Sequence, residues 1–243
     1  MISKASVKYI KSLQDKKQRQ KYDHFVVEGE KSIAELLKSH FKIHKVFVTD
    51  LLLDDYKNTI DNQLIFNISK EDLNLISFHQ TPQNALAIVE IPKQKTIQVD
   101  DGFVLALDEI QDPGNLGTII RIADWYGIKQ IVCSKGCTDV YSPKVINASM
   151  GSFVRVNVVY DDILKFAKQF ELPLLVTTFN GTDVHQFDST NKGLIVIGNE
   201  GHGINNEIIK QSNFQLTIPK YGGAESLNAA ISTAIVLDNL IGR

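Results

Sequence analysis

Three polar segments in the second half of the chain carry the residues most suited to chemistry, and each one follows an apolar stretch. The first runs from Asp108 to Gly117 and leads to Arg121. The second is the glycine-rich segment 198–203, and the third runs from Pro219 to Asn228. In parallel α/β sheets, ligands bind at the loops that leave the carboxyl ends of strands. The three segments therefore predict a ligand site.

Arg121 is the most informative residue of the first segment. It is surrounded in sequence by Ile119, Ile120, Ile122 and Trp125, so we expect it to be partly enclosed. An enclosed guanidinium stays charged and needs an anionic or carbonyl partner. A structural salt bridge and a substrate phosphate are both compatible with this pattern.

The second segment, Gly198-Asn199-Glu200-Gly201-His202-Gly203, has a spacing that excludes the common nucleotide motifs. It is neither the Gly-x-Gly-x-x-Gly dinucleotide fingerprint nor a P-loop. Glu200 would repel a pyrophosphate, so a cationic or hydroxyl-rich ligand is favoured. A glycine-rich turn also arises for conformational reasons alone, so the segment by itself is weak evidence.

Helix caps explain part of the remaining pattern. Asn115 and Ser226 are both suited to cap the helix that follows them. Asn228 lies in the first predicted turn of an apolar helix, where a buried amide needs hydrogen-bond partners. The histidines lack metal-ligand spacing, and Cys133 and Cys137 are interpreted as reduced structural thiols, so no metal is predicted.

The order of apolar and polar stretches predicts two α/β domains. Residues 1–92 are predicted to form a small α/β domain and 93–101 a linker. Residues 102–243 are predicted to form a doubly wound domain, because the strands in this range are apolar on both faces, as parallel strands covered by helices are. Strands are predicted at 25–27, 45–48, 64–67, 85–90, 103–107, 130–133, 154–159, 174–178, 194–197 and 215–218. Helices are predicted for a basic N-terminal segment and at 30–39, 70–77, 119–126, 142–150, 161–170 and 227–240.

Composition and charge limit the class of protein. With 43% hydrophobic and 22% charged residues, the chain is typical of globular proteins, and it has no apolar run long enough to span a bilayer. We therefore predict a cytoplasmic protein. Between Met1 and His24 there are seven basic residues and two acidic ones. This excess of positive charge fits the binding of phosphates and a solvated helical face equally well.

Together, Asn115 to Arg121, the segment 198–203, and Ile218-Pro219 with Ser226-Leu227-Asn228 resemble the three motifs of SpoU-type RNA 2′-O-ribose methyltransferases (TrmH family, SPOUT class). The N-terminal Phe25-Val26-Val27-Glu28-Gly29 and the segment 81–87 are similar to the ribosomal-protein-L30e-like RNA-binding domain that often precedes them. The resemblance covers nearly the whole chain.

This resemblance implies a C-terminal α/β (trefoil) knot, a homodimer, and S-adenosylmethionine as cofactor. It implies methyl transfer to a ribose 2′-hydroxyl of structured RNA, ribosomal RNA being favoured over transfer RNA. The implied catalytic residues are Arg121, Asn115, Glu200, Ser226 and Asn228. The implied cofactor contacts are Gly198, Ile218, Leu227, Gly201 and Ile197. The expected RNA contacts are Lys4, Lys8, Lys11, Arg19, Glu28 and Gly29.

The role of Arg121 is open. In the family the matching arginine is proposed to act as the base, but an arginine holds its proton so firmly that positioning of a phosphate or of the developing alkoxide is the simpler role. A non-catalytic RNA-binding protein is the main rival to the enzyme, and a nucleotide-dependent oxidoreductase is a more distant one.

Overall fold

The computed structural model describes residues 1–93, 97, 99, 102–188 and 191–242. These residues divide into two compact units. Met1–Gln94 and Asp139–Val154 form the first unit, and Lys95–Thr138 with Arg155–Arg243 form the second. Most of the predicted linker, 93–101, lies outside the described residues.

The first unit contains a four-stranded mixed sheet. Its strand order is β1-β4-β2-β3, with β4 antiparallel to β1 and β2, and β3 parallel to β2. The strands are β1 (His24–Glu28), β2 (Ile43–Val48), β3 (Ile65–Asn67) and β4 (Ala85–Glu90). The helices are α1 (Lys4–Ser12), α2 (Lys16–Tyr22), α3 (Glu30–Leu37), α4 (Leu53–Lys57) and α5 (Lys70–Ile76).

The basic N-terminal segment forms two helices rather than the single one that its pattern predicts. Ser3 caps α1 by accepting from the amide of Ser6 at 3.1 Å, and Asp15 caps α2 by accepting from Lys17 N at 2.7 Å. Because Asp15 favours a helix N-terminus over a helix interior, the chain ends one helix at Ser12 and begins another at Lys16.

Residues 139–154 complete the core of the first unit. They contain α7 (Pro143–Ala148), which packs against β1. Tyr141 and Phe153 contact Phe25 with ring centroids 4.6 and 6.0 Å apart, and Phe153 also contacts Phe41. These residues fall within the range predicted for the second domain, so the units interleave along the chain. The predicted domain boundaries themselves stay a prediction.

The second unit is built on a six-stranded parallel sheet, which confirms the predicted α/β class. Its strand order is β10-β8-β9-β5-β6-β7. The strands are β5 (Phe103–Leu107), β6 (Gln130–Cys133), β7 (Asn157–Tyr160), β8 (Leu174–Asp183), β9 (Gly193–Ile197) and β10 (Phe214–Thr217). The helices are α6 (Pro113–Trp125), α8 (Ile163–Gln169), α9 (Asn206–Lys210) and α10 (Ala229–Ile241).

The centre of this sheet determines where the three polar segments emerge. Strand β5 lies between β9 and β6, and its residues, like those of β9, are almost entirely buried. Because neighbouring parallel strands end at the same edge of the sheet, the segments that follow β5 and β9 begin side by side. The predicted knot stays a prediction. Within the described part of the chain, every helix is too short or too polar to cross a membrane.

Candidate active site

The three polar segments meet through their side chains. Asn115 Nδ2 donates to Glu200 Oε1, and Asn228 Nδ2 donates to Asn115 Oδ1 at 2.8 Å. Glu200 Oε1 also accepts from the backbone amide of Ala229 at 3.3 Å. We call Asn115, Glu200 and Asn228 the amide–carboxylate cluster. It joins the starts of α6 and α10 to the loop that follows β9.

The caps of the two helices differ from those expected. Asp112, not Asn115, caps α6, since its Oδ1 accepts from Asn115 N at 2.8 Å and Pro113 occupies the first helical position. Asn228, not Ser226, caps α10 and accepts from Ala230 N and Ile231 N at 3.0 and 3.3 Å. The expectation of a buried Asn228 is also wrong, because the residue is exposed at the helix end. Because Asp112 caps α6, the side chain of Asn115 is available to other partners. Asn228 caps α10 through Oδ1, so its Nδ2 can donate to Asn115.

The glycine-rich loop is closed by its own backbone. Asn199 and Gly203 exchange backbone hydrogen bonds of 3.1 and 2.9 Å, and Gly203 has a φ of +72°. A Cβ placed on Gly198 would lie 2.4 Å from the carbonyl carbon of Gly203. The backbone of Gly203 in this same loop therefore lies too close to Gly198 for any side chain, and position 198 requires glycine.

Asn199 and Asp108 hold this loop against the end of β5, and the sequence prediction missed both. Asn199 Nδ2 donates to the carbonyl of Glu109 at 2.9 Å, while its Oδ1 accepts from Gly201 N at 2.8 Å. The buried Asp108 accepts from Asn205 N at 2.8 Å. An Asp or Asn within two residues of the end of an apolar strand was the available signal, since such side chains pair with nearby backbone amides.

A pocket of about 520 Å³ lies beside the end of β10. Its wall is formed by Phe179, Thr217, Ile218, Pro219, Lys220 and Glu225. Of the predicted cofactor contacts, Ile218 lines this pocket. Ile197 is buried in β9, whereas Gly201 and Leu227 are exposed and Gly198 is half-buried. The volume falls within the range of about 300–1,000 Å³ typical of small-molecule sites.

Arg121 is exposed, which corrects the expectation that it is enclosed. Gly114, Thr118 and Trp125 share its face of α6 by helical spacing, and all of them are exposed. Among the residues that the structure describes, none forms a hydrogen bond or ion pair with its guanidinium. The same holds for the Ser226 hydroxyl. The structure therefore brings Asn115, Glu200 and Asn228 together and leaves Arg121 and Ser226 apart from them.

The predicted RNA contacts divide into exposed lysines and buried residues. Lys4 and Lys8 are exposed, and Lys11 Nζ donates to the carbonyl of Ser77. Arg19, also predicted as an RNA contact, is only 2% exposed. Its guanidinium donates to Asp139 Oδ2 at 2.6 Å and to the carbonyls of Leu13 and Gln14, both at 2.8 Å.

Glu28 and Gly29 are also buried and serve the first unit itself. Glu28 accepts from Ser77 Oγ at 2.5 Å and from Phe78 N at 2.7 Å. Gly29 has a φ of +94° and begins α3, a conformation that favours glycine. Neither is available to RNA in this conformation.

The two cysteines are buried free thiols. Cys137 Sγ donates to the carbonyl of Leu107 at 3.2 Å and accepts from Ile110 N at 3.3 Å. The hydrogen bond with Cys133 is the main cause that lowers the pKa of Cys137, against the effect of burial. Among the described residues, no group of three or more His, Cys, Asp or Glu side chains is placed to hold a metal ion.

Comparison with known proteins identifies both halves of the chain. Residues 102–238 match the model of the SpoU rRNA Methylase family. The chain belongs to this family. Residues 4–87 match the MRM3-like substrate binding domain, which agrees with the predicted L30e-like domain.

Relatives of this SpoU family chain match it along nearly its full length. The 23S rRNA (guanosine(2553)-2′-O)-methyltransferase RlmP of Bacillus subtilis is 30% identical, over 97% of this chain and 96% of that protein. The structure of a TrmH-family RNA methyltransferase from Porphyromonas gingivalis is 32% identical, with a TM-score of 0.89, and covers 100% of this chain and 99% of its own. The AdoMet-bound rRNA methyltransferase from Sinorhizobium meliloti is 26% identical, with a TM-score of 0.88 and 99% and 95% coverage.

Proposed function

We propose that this protein transfers a methyl group from S-adenosylmethionine to a ribose 2′-hydroxyl of large-subunit ribosomal RNA. The observation that carries the proposal is the amide–carboxylate cluster, in which Asn115, Glu200 and Asn228 join all three family motifs. End-to-end similarity to a 23S rRNA methyltransferase supports the choice of substrate. That substrate in turn supports a cytoplasmic location.

The residues near β9 and β10 fit the cofactor. The pocket that Ile218 lines has room for a small molecule, and Thr178 Oγ1, next to pocket residue Phe179, is buried without a hydrogen-bond partner among the described residues. A buried hydroxyl of this kind is costly unless a ligand or water satisfies it. We assign the cofactor to the backbone of this region, with contacts at Gly198, Ile218, Leu227, Gly201 and Ile197. When bound, S-adenosylmethionine supplies an electrophilic methyl group.

The chain's own residues position the nucleophile. Methyl transfer is an in-line displacement, so the ribose oxygen must be aligned with the methyl carbon at about 3 Å. An arginine side chain carries a positive charge in proteins, and that of Arg121 has no hydrogen-bond or ion-pair partner among the described residues. It is therefore suited to bind the target phosphate or the developing alkoxide. The exposed Ser226 hydroxyl lies two residues before Asn228 and is available to the substrate.

Glu200 has a different role. Its Oε1 accepts from Asn115 and from Ala229 N, so the carboxylate is used to fix the start of α10 against the start of α6. A carboxylate is favourable at a helix N-terminus, where it meets unpaired amides and the positive end of the helix dipole. We therefore assign Glu200, Asn115 and Asn228 as residues that order the site.

The position of the target nucleotide does not transfer from the relatives. RlmP is named for a guanosine of 23S rRNA, whereas a Streptomyces viridochromogenes relative, 30% identical over 65% of this chain and 60% of that protein, is named for a uridine. We therefore assign the RNA class to this chain, and mapping of the methylated ribose identifies the nucleotide.

The test is to incubate the protein with labelled S-adenosylmethionine and either unmodified 23S rRNA transcript or unmodified transfer RNA, and then to map positions that become resistant to alkaline cleavage. A single new resistant ribose supports the proposal. Label found only in transfer RNA would move the function to that substrate. Retained RNA binding without methylation of any RNA would make the protein a non-catalytic binder.

We also propose that the protein is a homodimer. Helices α6 and α10 run parallel, joined at their starts by Asn115 and Asn228 and at their ends by Tyr126 Oη, which donates to Asp238 Oδ1 at 3.0 Å. Trp125 is 84% exposed and Ile231 53% exposed on these helices. These two side chains lie near opposite ends of the helix pair, and a second copy packed along both helices would cover them. Light scattering should give a dimer for the wild type and a monomer for Trp125→Glu, and a monomeric wild type would exclude the dimer.

A further inference from the structure

A chain of aromatic rings crosses the first unit from the end of α2 to β2. Tyr22 contacts Tyr9 edge-on with centroids 5.0 Å apart, and Tyr9 contacts His24 at 6.3 Å. His24 stacks on His44 with centroids 4.4 Å apart and an interplanar angle of 26°. We call these four rings, Tyr22, Tyr9, His24 and His44, the aromatic ladder.

One lysine stands over a ring of the aromatic ladder, and a second stands over Phe66 of β3, outside the ladder. Lys21 Nζ lies 5.3 Å from the ring centroid of Tyr22. Lys45, the neighbour of His44 in sequence, places its Nζ 5.2 Å from the ring centroid of Phe66. Tyr22 and Phe66 are 40% and 39% exposed, whereas other aromatic residues of this unit, such as Phe25 and Phe47, are buried.

Hydrogen bonding holds the middle of the aromatic ladder in place. Tyr9 Oη and His24 Nδ1 share a hydrogen bond of 2.6 Å. The rings are carried by α1, α2, β1 and β2, so the surface rests on helices and strands rather than on a loop. Sites built on such elements hold their geometry better than sites on loops.

We propose that the aromatic ladder binds unpaired bases of the RNA substrate, with Lys21 and Lys45 contacting the neighbouring phosphates. Single-stranded nucleic acid is bound by aromatic rings that stack on bases and by cations that follow the backbone. The basic segment from Met1 to His24, which carries two of the four rings on its helices and a third at its end, provides the matching charge. This inference rests on the proposed function in taking RNA as the ligand.

The aromatic ladder differs from the RNA contacts expected from the sequence. Those included Glu28 and Gly29 at the end of β1, whereas His24 is the first residue of that strand. It lies opposite Glu90, the last residue of β4. The aromatic ladder therefore lies at the opposite end of β1 from Glu28 and Gly29, both of which are buried.

The decisive measurement is the affinity of the full-length protein for an oligouridine of about ten nucleotides, a length within the range that single-strand sites cover. Tyr22→Leu removes the ring but keeps apolar bulk, and Tyr22→Phe keeps the ring. We expect Tyr22→Leu to raise Kd at least about fivefold and Tyr22→Phe to leave it within a factor of two. Phe66→Leu serves as a second variant, and thermal unfolding checks that each one is folded.

Salt dependence separates stacking from charge. Tyr22→Leu should leave the slope of log Kd against log salt unchanged, whereas Lys45→Gln should reduce it by about 0.7 for a single strand. An RNA duplex of the same length should compete poorly. Wild-type affinity in folded Tyr22→Leu and Phe66→Leu, or equal binding of the duplex, would overturn the inference.

The same variants distinguish this inference from the proposed function. If 23S rRNA is methylated but the aromatic-ladder variants keep the wild-type KM and Kd, the inference fails and the function stands. If no RNA is methylated but Tyr22→Leu still weakens oligouridine binding, the enzyme proposal fails and the binding surface stands. For both to hold, Tyr22→Leu must raise KM for 23S rRNA with little change in kcat.

Discussion

Asn228 donates to Asn115 across a distance of 2.8 Å, and this one hydrogen bond joins the first turn of α6 to the cap of α10. The two residues are 113 positions apart in the chain. Because Asn115 also donates to Glu200, the two amides and the carboxylate form a single network in which each member fixes the next.

Neutralising Glu200 should weaken this network and let its members shift. Glu200→Gln removes the charge that strengthens the hydrogen bonds from Asn115 and Ala229 N, and charge-assisted bonds are about twice as strong as neutral ones. We expect methyl transfer to fall at least about tenfold, since misplaced site residues cost that much or more. Activity is measured with 23S rRNA, and Glu207→Gln, a change at an exposed pair with Lys210, is the control. Full activity in Glu200→Gln would show that the carboxylate is dispensable.

Arg121 should matter for activity and not for stability. It is exposed and has no partner among the described residues, so Arg121→Ala should change the free energy of unfolding by less than about 0.5 kcal/mol. The kcat of Arg121→Ala should fall strongly. Arg121→Lys tests the planar fork, because lysine keeps the charge and loses the bidentate geometry. Near-normal turnover of the lysine variant with intact RNA binding would argue against a requirement for the guanidinium.

The ion pair between the buried Arg19 and the half-buried Asp139 should contribute strongly to the stability of the first unit. Arg19→Met leaves the Asp139 carboxylate and two carbonyls without their partner, and breaking a buried pair in this way costs about 3 kcal/mol or more. Urea unfolding measures the loss. Arg155→Met is the control, since its exposed pair with Asp124 should be worth about 1 kcal/mol or less.

A double variant separates the charge of Asp139 from its shape. Asp139→Asn in the Arg19→Met background removes the unpaired charge and keeps an acceptor for Tyr141 N. It should recover part of the lost stability. If the single Arg19→Met variant unfolds like the wild type, the ion pair contributes little.

Acid should destabilise the protein through His24. Burial, and secondarily the neighbouring His44, lower the pKa of His24, with Lys45 acting in the same direction and Glu90 and Asp23 opposing it. The unfolded chain therefore binds the proton first, at a pKa of about 6.5, and the contribution of His24 to stability is lost as the pH falls below that value. In urea titrations from pH 7.5 to about pH 5, His24→Asn should flatten this loss. The exposed His202→Asn should follow the wild type, and an unchanged slope in His24→Asn would refute the assignment.

Much of the fold was predictable because burial imposes a clear pattern on strands. Strands β4, β5 and β6 were predicted with their observed bounds, and β9 and β10 to within one residue. By contrast, β7 begins three residues later and β8 ends five residues later than predicted. The helices α4 and α9 were missed, since five residues are too short to show helical periodicity. The break between α1 and α2 was missed because Asp15 was counted as an acid and not as a cap.

The site was predictable in its members and not in its contacts. The motif spacing identified Asn115, Glu200 and Asn228, but their mutual hydrogen bonds depend on which strand ends lie side by side, and no local pattern shows that. Arg121 was expected to be enclosed because its neighbours in sequence are apolar. Ile119 and Ile120 are buried, whereas Arg121, like Trp125, lies on the exposed face of α6.

The segment 139–154 also determines when the first unit can finish folding during synthesis. The aromatic contacts of Phe25 with Tyr141 and Phe153 form only after the ribosome has added Val154, and by then β5 and β6 have already been made. At about 5–20 residues per second, residues 1–93 must wait several seconds for the rest of their core. Residues 1–93 alone therefore do not contain the whole core of the first unit. For the same reason, the order of translation does not determine the order in which the two units complete folding.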